Sequence, residues 1–391
     1  MLNTSLSPWP SFTQEEADAV SKVLLSNKVN YWTGTECREF EKEFATFAGT
    51  QYAVALSNGT LALDVALKAM GIGAGDDVIV TSRTFLASAS CIVTAGANPV
   101  FADVDLNSQN ISAETIKAAL TPNTKAIIVV HLAGMPAEMD GIMDLAKEHD
   151  LWVIEDCAQA HGAKYKGKSV GSIGHVGAWS FCQDKIMTTG GEGGMVTTND
   201  KELWSKMWSY KDHGKSYDAV YHREYAPGFR WLHESFGTNW RMMEMQAVIG
   251  RIQLKRMPEW TDRRQAHAAK LAESLGKFAS IRLIEIADYI EHAQYKFYAF
   301  VKPKHLKDGW TRDRIVNELN ARKVPCYQGS CSEVYLEKAF DDTPWRPKER
   351  LKNAVELGDT SLMFLVHPTL TDGEIAFCKE HIEAVLAEAT A

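Results

Sequence analysis

Two apolar runs constrain this chain most. Residues 126–130 read AIIVV and residues 151–155 read LWVIE, with no alternation of polar and apolar positions. A strand with one wet face alternates; a continuous apolar strand is covered on both faces. Helical patterns at 59–70, 85–95, 113–120 and 138–149 separate strand-like stretches at 52–56, 77–81, 99–104, 125–130 and 151–155. Such alternation with short links predicts an α/β fold, a mostly parallel sheet with helices on both sides and right-handed crossovers. Two further strands, at 176–181 and 195–198, flank a glycine-rich loop. The stretch 210–240 is polar and aromatic with little periodicity. It is too long for a structureless loop in a compact domain, which marks it as a functional or interface segment. Helical patterns follow at 242–256 and 260–275, and the domain change is placed there. Residues 1–256 form a large α/β domain, with an N-terminal helix opened by the capping box of Thr13 and Glu16. Residues 257–391 form a small α+β domain, with a strand at 297–301 and helices at 311–322 and 373–389.

Composition narrows the class without naming a chemistry. With 391 residues, 45 % of them hydrophobic, the chain can bury a large core. Its net charge of −8 and lack of any basic run argue against a nucleic-acid partner. No stretch reaches the length of a membrane span, and the polar start lacks the layout of a signal peptide. The seven cysteines are scattered and form no CxxC. They read as reduced thiols, without disulfide frame or metal site, in a soluble cytoplasmic protein.

In a parallel α/β sheet, ligands bind beyond the carboxyl ends of the strands. After the first strand, Ser57-Asn58-Gly59-Thr60 feeds a helix whose N-terminus can take an anion, although an isolated SNGT is more often an ordinary cap. After the second, Phe85 stands where a flat ring could stack on a heteroaromatic ligand; alone, such a residue is usually core. Asp156 follows LWVI and is either a helix cap or a buried carboxylate in need of a cationic partner. Ser180 can reach a phosphate. Lys185 lies just past a strand beside Gly190-Gly191-Glu192-Gly193-Gly194, where a lysine can be held against a cofactor; most lysines are simply solvated. GGEGG is neither GxGxxG nor a P-loop, which disfavours a dinucleotide oxidoreductase. Asn239 opens a helix as part of Asn239-Trp240-Arg241-Met242 and would ordinarily be a cap.

Taken in order, SNGT, TF, EDCAQA, SF-x-x-x-K-x-x-x-x-GGEGG and NWRM resemble one family from about residue 10 to about 256. That family is the sugar-nucleotide aminotransferases of the DegT type, pyridoxal 5'-phosphate (PLP) enzymes of the aspartate-aminotransferase fold (fold type I). HLAG at 131–134 and DHG at 212–214 also look like family signatures. The resemblance implies that Lys185 forms the covalent link to PLP and that Asp156 binds the pyridine nitrogen. It implies that Gln159 lies by the ring hydroxyl, that Phe85 stacks on the ring, and that Gly59, Thr60 and Ser180 hold the phosphate. Asn239 would reach the phosphate of the partner subunit's cofactor, making the protein a homodimer with shared sites. L-glutamate would be the donor, pyridoxamine phosphate the form between half-reactions, and a keto-deoxysugar nucleotide the acceptor, at C4 rather than C3. Lysine at 185, where a few members carry histidine and act as dehydratases, favours amino transfer. The stretch 327–333 departs from the family pattern and leaves the nucleotide open. Arg241 is the one candidate for the donor carboxylate. A different fold-type I enzyme, or a non-catalytic PLP-bound regulator, would share several of these residues.

Overall fold

The computed structural model describes residues 6–391. Helices α1 (Gln14–Leu25) and α2 (Glu36–Ala48) lead into β1 (Tyr52–Leu56), α3 (Gly59–Ala69), β2 (Asp77–Thr81), α4 (Ala87–Thr94) and β3 (Asn98–Ala102). Then come α5 (Ala113–Ala119), β4 (Thr124–Val130), α6 (Met139–Glu148) and β5 (Trp152–Asp156), followed by the short hairpin β6 (Lys164–Tyr165) and β7 (Lys168–Ser169). Strands β8 (Val176–Ser180) and β9 (Gly194–Thr198) complete a seven-stranded sheet of order β1-β9-β8-β5-β4-β2-β3. Only β9 runs against its neighbours.

The apolar runs sit where their pattern predicts. Ile128 and Ile154 face one core cluster with Val80 and α3, while Ile127, Val129 and Val153 face another with α6. Each fully buried Val or Ile contributes about 1.5–3 kcal/mol, so a strand covered on both faces outweighs any surface pattern. The N-terminal helix opens as expected, with the Glu16 carboxylate accepting from the Thr13 N–H at 2.7 Å.

Two regions differ from the sequence expectation. The helices expected at 242–256 and 260–275 are one, α9 (Glu244–Leu275), preceded by α7 (Lys201–Lys211) and the short α8 (Tyr217–Tyr221). Pro258 lies inside α9 and removes one helical hydrogen bond. The helix persists because Met257, Trp260 and Arg264 on either side of the proline are buried. The division at 256/257 therefore falls within a helix that packs on α1 and α2 and on the C-terminal helix Asp372–Ala389. Beyond α9, strands at Ile281–Leu283, Phe297–Val301, Cys326–Tyr327 and Ser361–Phe364 form a separate antiparallel sheet.

The segment 210–240 is an excursion pinned at its base. The buried Lys211 ammonium lies 3.3 Å from the Tyr31 ring centroid, and Asp212 binds Lys215 and Arg241. Isolated bridges join Asp212 to Asn239 and Lys215 to His233. Gly214 has φ +87, and a Cβ there would collide with the Ser235 carbonyl, so the DHG turn needs its glycine. The far end exposes Phe229, Trp231 and Phe236.

Candidate active site

A cleft of about 630 Å³ opens beyond the carboxyl ends of β2, β4, β5 and β8. Gly59, Thr60, Phe85, Asp156, Gln159, Ser180 and Lys185 all line it, though they come from four separate stretches of sequence.

At the floor is Asp156. Its Oδ1 accepts the Ala158 N–H at 3.1 Å, and its Oδ2 accepts the Ser88 hydroxyl at 2.8 Å. No helix begins here, so the cap expected at Asp156 is instead a local turn bond, and the buried carboxylate is what the structure shows. Among the described residues no cation bonds it, and burial pushes its carboxyl above the usual range. A buried carboxylate in this state is completed by a positively charged hydrogen-bond donor. The neighbouring Glu155 plays a different part: it accepts three backbone N–H groups, from Gly171, Ile173 and Gly174, and lies 3.0 Å from His131 Nε2. Burial raises the Glu155 carboxyl, but His131 and these N–H groups outweigh that and hold it below its ordinary value. His131 Nδ1 accepts from Ala137 N at 3.0 Å, so Nε2 carries the proton toward Glu155. His131, Glu155 and Cys157 cluster in space, but these bonds already occupy the first two as structural groups.

One end of the cleft is built for an anion. Asn58 caps α3 by accepting the Leu61 N–H at 3.0 Å, leaving the first N–H groups of the helix facing the cleft. Ser180 Oγ accepts the Cys182 N–H at 3.3 Å and keeps its own proton to donate. Gly59 passes so close that a Cβ would lie 2.5 Å from Ser180 Cβ. Gly59→Ala should therefore cost about 1–3 kcal/mol by overpacking and loosen any bound phosphate; thermal melts and cofactor retention on dialysis check both effects.

Lys185 also lines the cleft. Its Nζ lies 3.9 Å from Asp184 Oδ1 and 5.4 Å from the Tyr295 ring centroid. The Tyr295 hydroxyl donates to Asp184 Oδ2 at 2.6 Å. A second lysine, Lys296, sits 4.7 Å from the same ring centroid and is pushed down to about 8 by burial. Phe85 is exposed at the mouth and precedes α4, which starts two residues later than expected. Gln159 is fixed because its Oε1 accepts the Ala133 N–H at 2.7 Å, which leaves the amide Nε2 as its donor.

Two candidates are not brought here. Asn239 is exposed on the excursion, paired with Asp212. Arg241 donates to Asp212 at 2.8 Å and is spent on pinning the excursion. In turn, sequence reasoning passed over Ser88, Asp184 and Tyr295. Ser88 had a legible signal, since it lies one helical turn after Thr84, whose hydroxyl it meets at 2.8 Å. Tyr295 had none, because 111 positions separate it from its partner Asp184.

A model described as the DegT/DnrJ/EryC1/StrS aminotransferase family matches residues 10–383. The chain belongs to that family. It is 35 % identical over 378 residues to the spore coat polysaccharide biosynthesis protein SpsC of Bacillus subtilis, covering 96 % of this chain and 95 % of that one. It is 37 % identical to the GDP-perosamine synthase of Caulobacter vibrioides, covering 86 % of each. The solved aminotransferase from Psychrobacter cryohalolentis shares 64 % identity at a TM-score of 0.96, with 98 % of this chain and 99 % of that one covered. Aminotransferases of the DegT/DnrJ/EryC1/StrS family are sugar-nucleotide enzymes that use PLP, and the fold here is their fold type I α/β architecture.

The cleft fits that cofactor on its own chemistry. Among the described residues Asp156 lacks the cation that a protonated pyridine nitrogen would supply, the α3 terminus and Ser180 offer a phosphate cradle, and Lys185 lines the same cleft. No helix among the described residues is long and apolar enough to cross a membrane.

Proposed function

We propose that this chain moves the amino group of L-glutamate to the keto carbon of a deoxysugar nucleotide, at C4, in amino-sugar synthesis for a surface polysaccharide. The observation that carries this reading is the convergence of Lys185, Asp156 and Gln159 on one cleft with the α3 terminus. Bound there, PLP supplies an electron sink for the amino donor's α-carbon. Lys185 is then the group that holds the cofactor, releases it, and carries a proton from the donor's α-carbon as general base. In the return half it would deliver a proton to the sugar carbon that receives the amino group. Asp156 would keep the pyridine nitrogen charged, Gln159 would donate to the ring hydroxyl, Phe85 would cover the ring face, and Gly59, Thr60 and Ser180 would hold the phosphate.

The acceptor would enter over Phe85, past the departing stretch 327–333. The Cys331 carbonyl of that stretch accepts the Thr84 N–H at 3.1 Å, which sets it at the cleft rim. Relatives are named for GDP-, UDP- and dTDP-linked sugars, and several for amination at C3. The site is read as shared in a homodimer, supported by exposed Phe229, Trp231, Phe236 and Asn239 on one excursion. The test incubates PLP-loaded protein and glutamate with a panel of 3-keto and 4-keto sugar nucleotides. A product whose mass shows oxygen exchanged for nitrogen, with NMR placing the amine at C4, supports the reading; an amine at C3 moves the position, and no product with any acceptor removes it.

A second reading, a PLP-bound regulator, has one observation in its favour. The chain is 41 % identical over 250 residues to a pleiotropic regulatory protein of Geobacillus stearothermophilus. A regulator would bind PLP and leave glutamate unconverted.

A further inference from the structure

Trp9 lies outside the cleft and outside every motif of the sequence, yet its indole Nε1 donates to the carbonyl of Lys185 at 2.8 Å. Lys185 is five residues past the end of β8, in a loop whose own bond to it is Lys185 N–H to the Cys182 carbonyl at 3.1 Å. A loop residue whose Nζ must meet a reacting atom needs further anchoring, because small displacements at such a centre are costly.

The anchor is itself well held. Trp260 meets the Trp9 ring edge-on at 5.1 Å, and His367 stacks on it at 6.0 Å. The buried Arg264 guanidinium lies 5.0 Å over the same ring. Arg264 Nη1 donates to the Tyr295 carbonyl at 3.4 Å, while its Nε and Nη2 have no hydrogen-bond partner among the described residues. The face of Trp9 is therefore a principal compensation for this desolvated cation. Tyr295 in turn lies beside Lys185 Nζ and binds Asp184. One cluster thus grips Lys185 twice: Trp9 takes the backbone and Tyr295 flanks the side chain, with Arg264 behind both.

We propose that Trp9 is a positioning residue for Lys185, so that the N-terminal arm sets where the cofactor-linked lysine stands. The proposal rests on the reading of Lys185 as that lysine. Trp9→Phe keeps an aromatic face for Arg264 and removes the N–H donor together with part of the indole ring. In the PLP-loaded protein, kcat should fall about tenfold while KM for glutamate stays within about twofold. The visible circular dichroism of the bound cofactor should change with it. Wild-type kcat and dichroism, even at a lower melting temperature, would mean that Trp9 only stabilises the fold and would overturn the proposal. If Trp9→Phe does not fold, His367→Ala withdraws one wall of the Trp9 site. It should move kcat and dichroism the same way by about threefold or less, and unchanged values overturn the proposal equally. Borohydride reduction and peptide mapping of the wild-type protein test the premise separately: cofactor on Lys185 upholds it, and cofactor on another lysine removes it whatever Trp9→Phe does.

Discussion

Lys185→Ala, loaded with PLP and treated with borohydride, is expected to release all of its cofactor on denaturation, and its turnover is expected to fall by about 10⁴-fold. The size follows from the two roles placed on one amine. As the covalent holder, Lys185 presents the cofactor ready for exchange with the incoming amino group. As the general base, it moves the proton in both half-reactions, which alone is worth about 10²–10⁴-fold. Neighbouring groups offer no substitute of the same reach. Asp184 is an acidic group tied to Tyr295, and Lys296 is buried beside the Tyr295 ring, outside the cleft lining. Peptide mapping of the reduced protein and a steady-state assay check the two halves independently. A reduced covalent adduct in the alanine variant would place the link elsewhere.

The second large effect belongs to Asp156, and it has opposite signs with and without cofactor. Removing one member of a buried ion pair costs about 3–5 kcal/mol, or about 10²- to 4 × 10³-fold in rate at tenfold per roughly 1.4 kcal/mol. Asp156→Asn should lose turnover on that scale, since an amide cannot keep the pyridine nitrogen charged. The cofactor-free protein should behave the other way. Burial, followed by smaller opposing effects from Ser88 and Ala158, holds the folded Asp156 carboxyl above its unfolded value. A group that binds its proton more tightly when folded contributes stability below its unfolded pKa, about 3.9. It loses that contribution as pH rises through the folded value. At neutral pH the ionised carboxylate thus destabilises the empty fold. Asp156→Asn should raise the melting temperature of the cofactor-free protein at pH 7 and flatten its fall between acid and neutral pH. Equal melting of the two cofactor-free proteins at neutral pH would mean that Asp156 is already compensated without a cation.

Much of the sheet was legible because apolar runs covered on both faces leave a dense local signal. The strands at 52–56, 77–81 and 151–155 fall within one residue of their expected ends, and each ends in the cleft or beside it. The continuity of α9 was not legible, because Pro258 breaks the local pattern and only long-range packing keeps the helix whole. The site divided in the same way. Lys185, Asp156 and the α3 terminus each follow a strand at a position where ligands bind, so order along the chain revealed them. Trp9 and Tyr295 reach the Lys185 loop across 176 and 111 positions, and no spacing in the sequence encodes such contacts. Arg241 looked free for a carboxylate only because its partner Asp212 lies 29 residues upstream, on the far side of the excursion.

The visible spectrum of the PLP-loaded wild-type protein, recorded before and after L-glutamate with no acceptor present, tests the assignment of Lys185 and of amino transfer most directly. The expected result is a long-wavelength band from the lysine-linked cofactor that glutamate bleaches, with one equivalent of 2-oxoglutarate released per site. A band that glutamate leaves untouched, with no 2-oxoglutarate formed, would contradict amino transfer from glutamate and point to a protein that only holds its cofactor.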